Sequence, residues 1–383
     1  MNAHSPGRLI VVGAGIAGLA NAWSAAERGW AVTVLERSAA ACGASVRNFG
    51  MIWPIGQPTL ERRRLALASR DRWLRLGRDA GVWVHACGSL HLAYRDDEWA
   101  VLREFAEWAN RNEIHVRLLL PDQVLDRTTA ANPAGLIGGL FSPDELAVNP
   151  RTAAAAIAAW LARQYNVRFE FDTTVVSAET GTVRTSNGDE WHADRILVCS
   201  GADTETLFPD VFAKSDLQPC KLHMLQTVRQ PGGWRLGPHL AGGLTLRHYA
   251  NFEVCPSLPA LKQRIARESP ELDQYGVHVM ASQTDSGGVI LGDSHEYGAD
   301  ISPFNKEVID ELILRELRRM LVLPDWTIAE RWQGVYLKNP GGGPVFVAEP
   351  LPGVHIFNGV GGTGMTLSLA LAEHLWSEGS VLK

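Results

Sequence analysis

Cysteine is sparse in this chain and follows no pattern. Cys42, Cys87, Cys199, Cys220 and Cys255 are scattered, odd in number and never spaced as CxxC. That excludes a disulfide framework and a thiolate zinc site, points to a reducing compartment and leaves no metal expected. Long apolar runs are missing as well, so no membrane-spanning segment is expected. The polar stretch MNAHSPGR ahead of the first apolar run has none of the features of a secretion signal. The expected location is therefore cytoplasmic. Positive charge is not in excess: 36 Lys and Arg against 42 Asp and Glu give a formal net charge of −6, no electrostatic footprint for nucleic acid. The cluster Arg62, Arg63, Arg64 and Arg70 reads as a solvated helix face. Repeats and low-complexity tracts are absent. At 383 residues, 46% hydrophobic and 20% charged, the chain has room for two domains, or one large domain with an insertion.

What is present begins at Arg8 to Arg37, RLIVVGAGIAGLANAWSAAERGWAVTVLER. Leu9 to Val12 reads as a buried strand that breaks into Gly13-x-Gly15-x-x-Gly18 and continues as a helix. A second strand, Ala31 to Leu35, ends at Glu36. Gly13 permits a tight turn, Gly15 lets the backbone approach a pyrophosphate, and Gly18 lets helix and strand pack closely. The helix N-terminus offers N–H groups and a positive dipole end to the phosphates. Glu36 can accept hydrogen bonds from a ribose diol. Strand, glycines, helix, strand and acid together indicate dinucleotide binding rather than an ordinary strand-turn-helix.

Further along, a small-residue segment from Ser38 to Gly50 precedes a helix expected over Thr59 to Gly77. Residues 82 to 94 read as strand and turn, and Asp97 to Asn112 as a helix. Asn149-Pro150 opens another helix with a good N-cap and Pro at the first position. Strands are expected over Val167 to Phe171, Thr174 to Glu179, Gly181 to Ser186 and Arg195 to Cys199, the last running into Ser200-Gly201. From Leu217 the pattern turns antiparallel, with strands expected over Cys220 to Val228, Leu244 to Phe252, Val277 to Thr284 and Val289 to Gly292. Helices are expected over Leu258 to Arg267 and Asn305 to Leu323. Strands at Thr327 to Leu337, Val345 to Glu349 and Val354 to Phe357 then lead into Asn358-Gly-Val-Gly-Gly-Thr-Gly364 and a last helix.

That second glycine cluster bears on the cofactor. A nicotinamide dinucleotide would be served by one glycine turn. FAD is longer, and the carbonyl edge of its ring system gains negative charge on reduction, which a second helix N-terminus can stabilise. This arrangement resembles the FAD-dependent oxidoreductases of the D-amino-acid oxidase, glycine oxidase and sarcosine oxidase group. The resemblance covers essentially the whole chain and rests on Gly13, Gly15, Gly18, Glu36-Arg37, Cys199-Ser200-Gly201, Trp332-x-Gly334 and GVGGTGMT. It implies an α/β (α+β overall) architecture of glutathione-reductase type. A Rossmann-like FAD-binding domain would comprise 1–85, 147–216 and 326–383, and a mixed antiparallel substrate-binding domain 86–146 and 217–325. FAD contacts are implied at Gly13, Gly15, Ile16, Ala17, Gly18, Glu36, Arg37, Ala44, Ser45, Arg47, Asn48, Val175, Ser200 and Gly201, and at Gly361, Gly362, Thr363, Gly364, Met365 and Thr366.

Departures from the group are informative. Where sarcosine oxidases attach their flavin through a cysteine this chain reads Gln333-Gly334-Val335-Tyr336, which implies non-covalent FAD. The arginine with which glycine oxidases grip a carboxylate is replaced by Tyr336, and the sarcosine oxidase lysine of the C-terminal turn by Thr366. Ile290 falls where a lysine would activate oxygen. Three segments, SVRNFGMIWPIGQP, LTLRHYANFEVCPSL and LGDSHEYG, resemble a sub-branch linked to the breakdown of aminoalkylphosphonates. A phosphonate needs several donors. The candidates are Arg47, Lys221, His223, Arg247, His248, His295 and Lys338, with Asp293 or Glu296 for the substrate ammonium and Trp332 and Tyr336 as an aromatic wall. Arg247 and His248 would point to opposite faces of a strand, and a strand histidine is commonly structural. The expected activity is oxidation of a small amine at a C–N bond, with O2 as electron acceptor. The alternatives are a dehydrogenase that passes electrons to a carrier and a flavin-binding subunit without turnover.

Overall fold

The computed structural model describes residues 6–298, 301–341 and 343–377. Two sheets carry the fold. The first has six strands in the order Phe346–Leu351, Val354–Asn358, Arg195–Val198, Arg8–Val12, Ala31–Leu35 and Arg168–Glu170. All neighbours are parallel except the antiparallel edge pair formed by Phe346–Leu351 and Val354–Asn358. Its central strands are apolar on both faces because helices cover one side and further apolar residues the other. Helix Ile16–Ala26 is rich in alanine, which allows close approach to helix Gly364–Ser377, and Trp23 meets Trp160 edge-on with ring centroids 5.2 Å apart.

Strand Arg8–Val12 lies between Ala31–Leu35 and Arg195–Val198. Gly13, Glu36 and Cys199-Ser200, each just past the end of one of these parallel strands, therefore share one edge of the sheet. This is where open α/β sheets bind ligands.

The second sheet has nine strands. Its path runs Glu296–Tyr297, Gln218–Thr227, Val289–Gly292, Met280–Gln283, His239–Ala241, Ser89–Ala93, Gly138–Ser142 and Arg117–Leu119, with Ile328–Lys338 paired to Gln218–Thr227. That last pairing places Ile328–Lys338 with the antiparallel sheet. Two small three-stranded sheets complete the fold, one from Val175–Glu179, Thr182–Thr185 and Glu190–His192, the other from Met51–Ile52, Leu146–Val148 and Val84–His85. Helix Pro150–Tyr165 begins as expected, with the Asn149 side chain accepting from the Arg151 N–H at 3.1 Å.

One expected strand is absent. Leu244 to Phe252 forms a short helix, Gly243–Leu246, and a 3-10 turn, Ala250–Val254. The His248 and Tyr249 N–H groups both return to the Thr245 carbonyl, and the Thr245 hydroxyl donates to the Val279 carbonyl at 3.1 Å. Alternating Leu244, Leu246 and His248 mimicked a strand, but the buried residues recur at helical intervals instead. No helix among the described residues is long and apolar enough to cross a membrane.

Candidate active site

A cavity of 510 Å³ lies at the carboxyl edge of the six-stranded sheet and extends to the strand Ile328–Lys338. Every residue expected to contact FAD lines it except Gly18. Gly18 sits below: a Cβ there would lie 1.9 Å from the Gly13 carbonyl oxygen. Gly13 has φ +105°, and a Cβ on it would lie 2.5 Å from the Cys199 carbonyl oxygen. Both glycines are thus required by close packing, which leaves Gly15 to face the cavity.

The acid at the second strand's tip is fixed by backbone. Glu36 accepts from the Ala14 N–H at 2.8 Å and from the Ser38 N–H at 3.1 Å. Ser45 accepts from the Ile16 N–H at 2.9 Å, tying the loop after the second strand to the first turn of the helix. Asn48 holds that loop by donating to the Ala44 and Ser45 carbonyls and accepting from the Gly50 N–H. Arg37 pairs with Asp203 at 2.9 Å across the Ser200-Gly201 turn.

The second glycine turn closes the other end. Asn358 donates to the Ser200 hydroxyl at 3.2 Å, joining this turn to the strand end beside the first. Gly361 has φ +63° and nothing within 4 Å of where a Cβ would stand, so bare backbone faces the cavity ahead of helix Gly364–Ser377. Thr366 accepts from the Trp53 N–H at 3.0 Å, so its hydroxyl supports the loop carrying Trp53. Two bare-backbone turns at two helix N-termini, with a diol acceptor beside the first, fit a long dinucleotide that needs N–H donors both at its pyrophosphate and at the edge of its ring system.

The remaining wall is polar and aromatic. It holds Arg47, Tyr249, His248, His278, Asp293, His295, Tyr336 and Lys338. His278 and Tyr249 were not among the expected site residues. A signal for His278 existed: if the strands Val277 to Thr284 and Val289 to Gly292 form a hairpin, its open end brings 278 beside 293–295. The structure has this pairing, with His278 and Asp293 exchanging backbone hydrogen bonds of 3.1 and 2.8 Å. The Asp293 carboxylate also lies 2.9 Å from the His278 ring. Burial alone would raise the Asp293 pKa, but His278 and His295 beside it hold it below the ordinary carboxylate value. Burial and neighbouring positive groups push His248 well below its ordinary value and His295 down to about 4. Lys338 donates to the Tyr297 hydroxyl at 3.1 Å.

Five expected site residues lie elsewhere. Strand alternation sends Lys221 and His223 to the face of Gln218–Thr227 opposite Leu222, which lines the cavity. There His223 meets Asp310 of helix Glu307–Met320 at 2.9 Å, and Lys221 donates to the Ser302 and Phe304 carbonyls. Glu296 pairs with Lys306 at 2.9 Å. Arg247 donates to the Val277 carbonyl and pairs with Asp273 at 3.2 Å. Trp332 is no aromatic wall; its indole N–H goes to the Arg47 carbonyl at 3.2 Å. Ile290 is buried outside the cavity lining.

A model of the family described as DAO, FAD dependent oxidoreductase, matches residues 8–377. The chain belongs to this family. Its cofactor is accordingly FAD, and it is an oxidoreductase. A subunit of the opine oxidase of Rhizobium meliloti is 23% identical over 366 residues, covering 91% of this chain and 87% of that protein. Among solved structures, glycine oxidase from Geobacillus kaustophilus superposes with a TM-score of 0.76 at 18% identity, covering 97% of this chain and 95% of its own. L-proline dehydrogenase from P. horikoshii gives 0.74 at 20% identity, covering 97% and 93%. At these identities the structural likeness shows the fold.

Proposed function

We propose that this FAD-dependent oxidoreductase oxidises the C–N bond of a small amine with an anionic head group, an aminoalkylphosphonate of the N-methyl-2-aminoethylphosphonate type. The relatives named for oxidation of opines, glycine and proline support the amine. The observation that carries the head group is the composition of the polar wall. It gathers three histidines, Lys338 and Arg47, while the position of the usual carboxylate-binding arginine is held by Tyr336. A doubly charged group with three oxygens needs more donors than one guanidinium provides.

The chain's own residues bind and orient. Lys338 and the histidine edges take the anionic end. Asp293, an ionised carboxylate despite its burial, faces the amine. Tyr336 is buried against Cys220, and burial raises its hydroxyl well above the ordinary value, so it acts as a neutral donor. When bound, FAD supplies the two-electron acceptor for hydride from the substrate carbon. The resulting imine hydrolyses in water to an aldehyde and methylamine or ammonia, and oxygen becomes hydrogen peroxide. The flavin is held non-covalently, and denaturation releases the yellow colour into the supernatant.

An anaerobic bleaching screen tests this reading. N-methyl-2-aminoethylphosphonate should bleach the flavin and sarcosine should do little; equal or better bleaching by sarcosine would reject the argument from Tyr336. Passing electrons to a carrier is the second reading, favoured by the structural likeness to an L-proline dehydrogenase. An oxygen-consumption trace during turnover separates the two.

A further inference from the structure

His248, His278 and His295 form a stack. Ring centroids of His248 and His278 lie 3.9 Å apart with planes 25° from parallel, those of His248 and His295 4.4 Å and 30°. His278 and His295 are 1% and 7% exposed, and neither ring nitrogen of His278 has a hydrogen-bond partner among the described residues. The nearby Asp293 oxygen is close to His278 but out of line for a hydrogen bond. Rings stacked face to face direct their in-plane lone pairs side by side. One nitrogen from each ring lies within 4.8 Å of the others, so the three edges meet in one small region that a single ligand can span.

We propose that the trio is a proton-coupled anion site, which takes up a proton from solvent when a doubly charged oxyanion binds and so selects a dianion over a carboxylate. This rests on the anionic head group proposed above. A neutral imidazole offers one N–H and one lone pair, whereas an oxyanion only accepts. Every lone pair turned toward it repels, and a proton added there converts repulsion into a charge-assisted hydrogen bond.

The surroundings keep protons off two of the three rings, His248 and His295. Burial, mutual proximity, Lys338 and Arg247 all disfavour a proton on His248, while Asp293 favours one on His295. Burial raises Tyr249, Tyr297, Tyr336 and Cys220, so all four stay uncharged. A carboxylate can be neutralised by Lys338 alone. Arg47 on the same wall adds a second positive charge and Asp293 takes one away, so the second negative charge of a dianion exceeds the net of one, and the trio is what can answer it with a proton.

Titration calorimetry on the holoenzyme tests the proposal, with sulfate as probe because it stays a dianion across neutral pH and cannot itself carry the proton. Sulfate should bind with proton uptake, seen as a dependence of the apparent heat on the ionisation heat of the buffer. Its Kd should weaken roughly tenfold per pH unit above neutrality, and acetate should show neither effect. Sulfate binding with no uptake and a flat pH profile would overturn the proton coupling while leaving the anionic substrate intact. Failure of both sulfate and methylphosphonate to bind, with acetate binding, would overturn both.

Discussion

Trp332 donates its indole N–H to the carbonyl of Arg47, 285 positions earlier in the chain, and the adjacent Gly334 leaves room for that same carbonyl, 3.2 Å from where a Cβ would stand. The loop that lines the cofactor cavity is thereby seated on a strand of the antiparallel sheet. Trp332→Phe removes one neutral hydrogen bond, worth about 1 kcal/mol. FAD should bind about fivefold more weakly, measured by recovery of flavin fluorescence on dilution, with little change in turnover at saturating FAD.

Gly18→Ala should be far more damaging than a typical glycine-to-alanine change in a helix. The added methyl meets a backbone oxygen rather than a flexible side chain, so strand and helix must separate. A loss of roughly 1–3 kcal/mol is expected from overpacking. The absorbance ratio at 450 and 280 nm should show protein purified largely without flavin.

Lys338 and His223 make opposite predictions. Lys338→Met should raise KM for an anionic amine roughly ten- to a hundredfold, the worth of one hydrogen bond to a charged group. His223→Leu should leave KM unchanged but lower Tm, because it strips a partner from buried Asp310, whose remaining ion-pair partner among the described residues is Arg331 at 3.0 Å. A rise in KM for His223→Leu would return that residue to the site.

Stability should fall in mild acid, and His91 is one identifiable cause. It is 1% exposed between Trp53 and Phe252, and neither ring nitrogen has a partner among the described residues. Burial lowers its pKa from 6.5 to about 3. The unfolded chain therefore binds a proton that the folded chain refuses. The folded state is penalised nowhere above pH 6.5, and stability is lost as pH falls from there toward 3. At pH 5 the cost is about 2 kcal/mol. His91→Phe should remove that share, so its Tm should exceed the parent's at pH 5 by more than at pH 7.5.

Much of the cofactor side was legible because backbone does the binding. A turn that needs Gly13, Gly15 and Gly18 announces itself in sequence, and so does the acid at the next strand's tip. The substrate side was less legible because side-chain direction decides it. Lys221 and His223 differ from the cavity-lining Leu222 by one position, and a one-residue change of face moves a basic group from the cavity to a helix-covered surface. The stretch Leu244 to Phe252 misled for a related reason: two-residue alternation of apolar groups arose on a helical turn pinned by the Thr245 side chain. His278 was hidden because its role depends on Asp293 and His295, which a hairpin brings beside it.

The order of strands in the six-stranded sheet has a consequence for how the protein is made. Its central strand, Arg8–Val12, is synthesised before any of its partners, one neighbour is Arg195–Val198, and the sheet's far edge waits for Phe346–Leu351 and Val354–Asn358. On the ribosome, the first glycine turn must therefore emerge and persist without the partners that bury it. Capture of the flavin at both ends becomes possible only when translation has passed Met365, so the first glycine turn waits for the second before it can hold the whole cofactor.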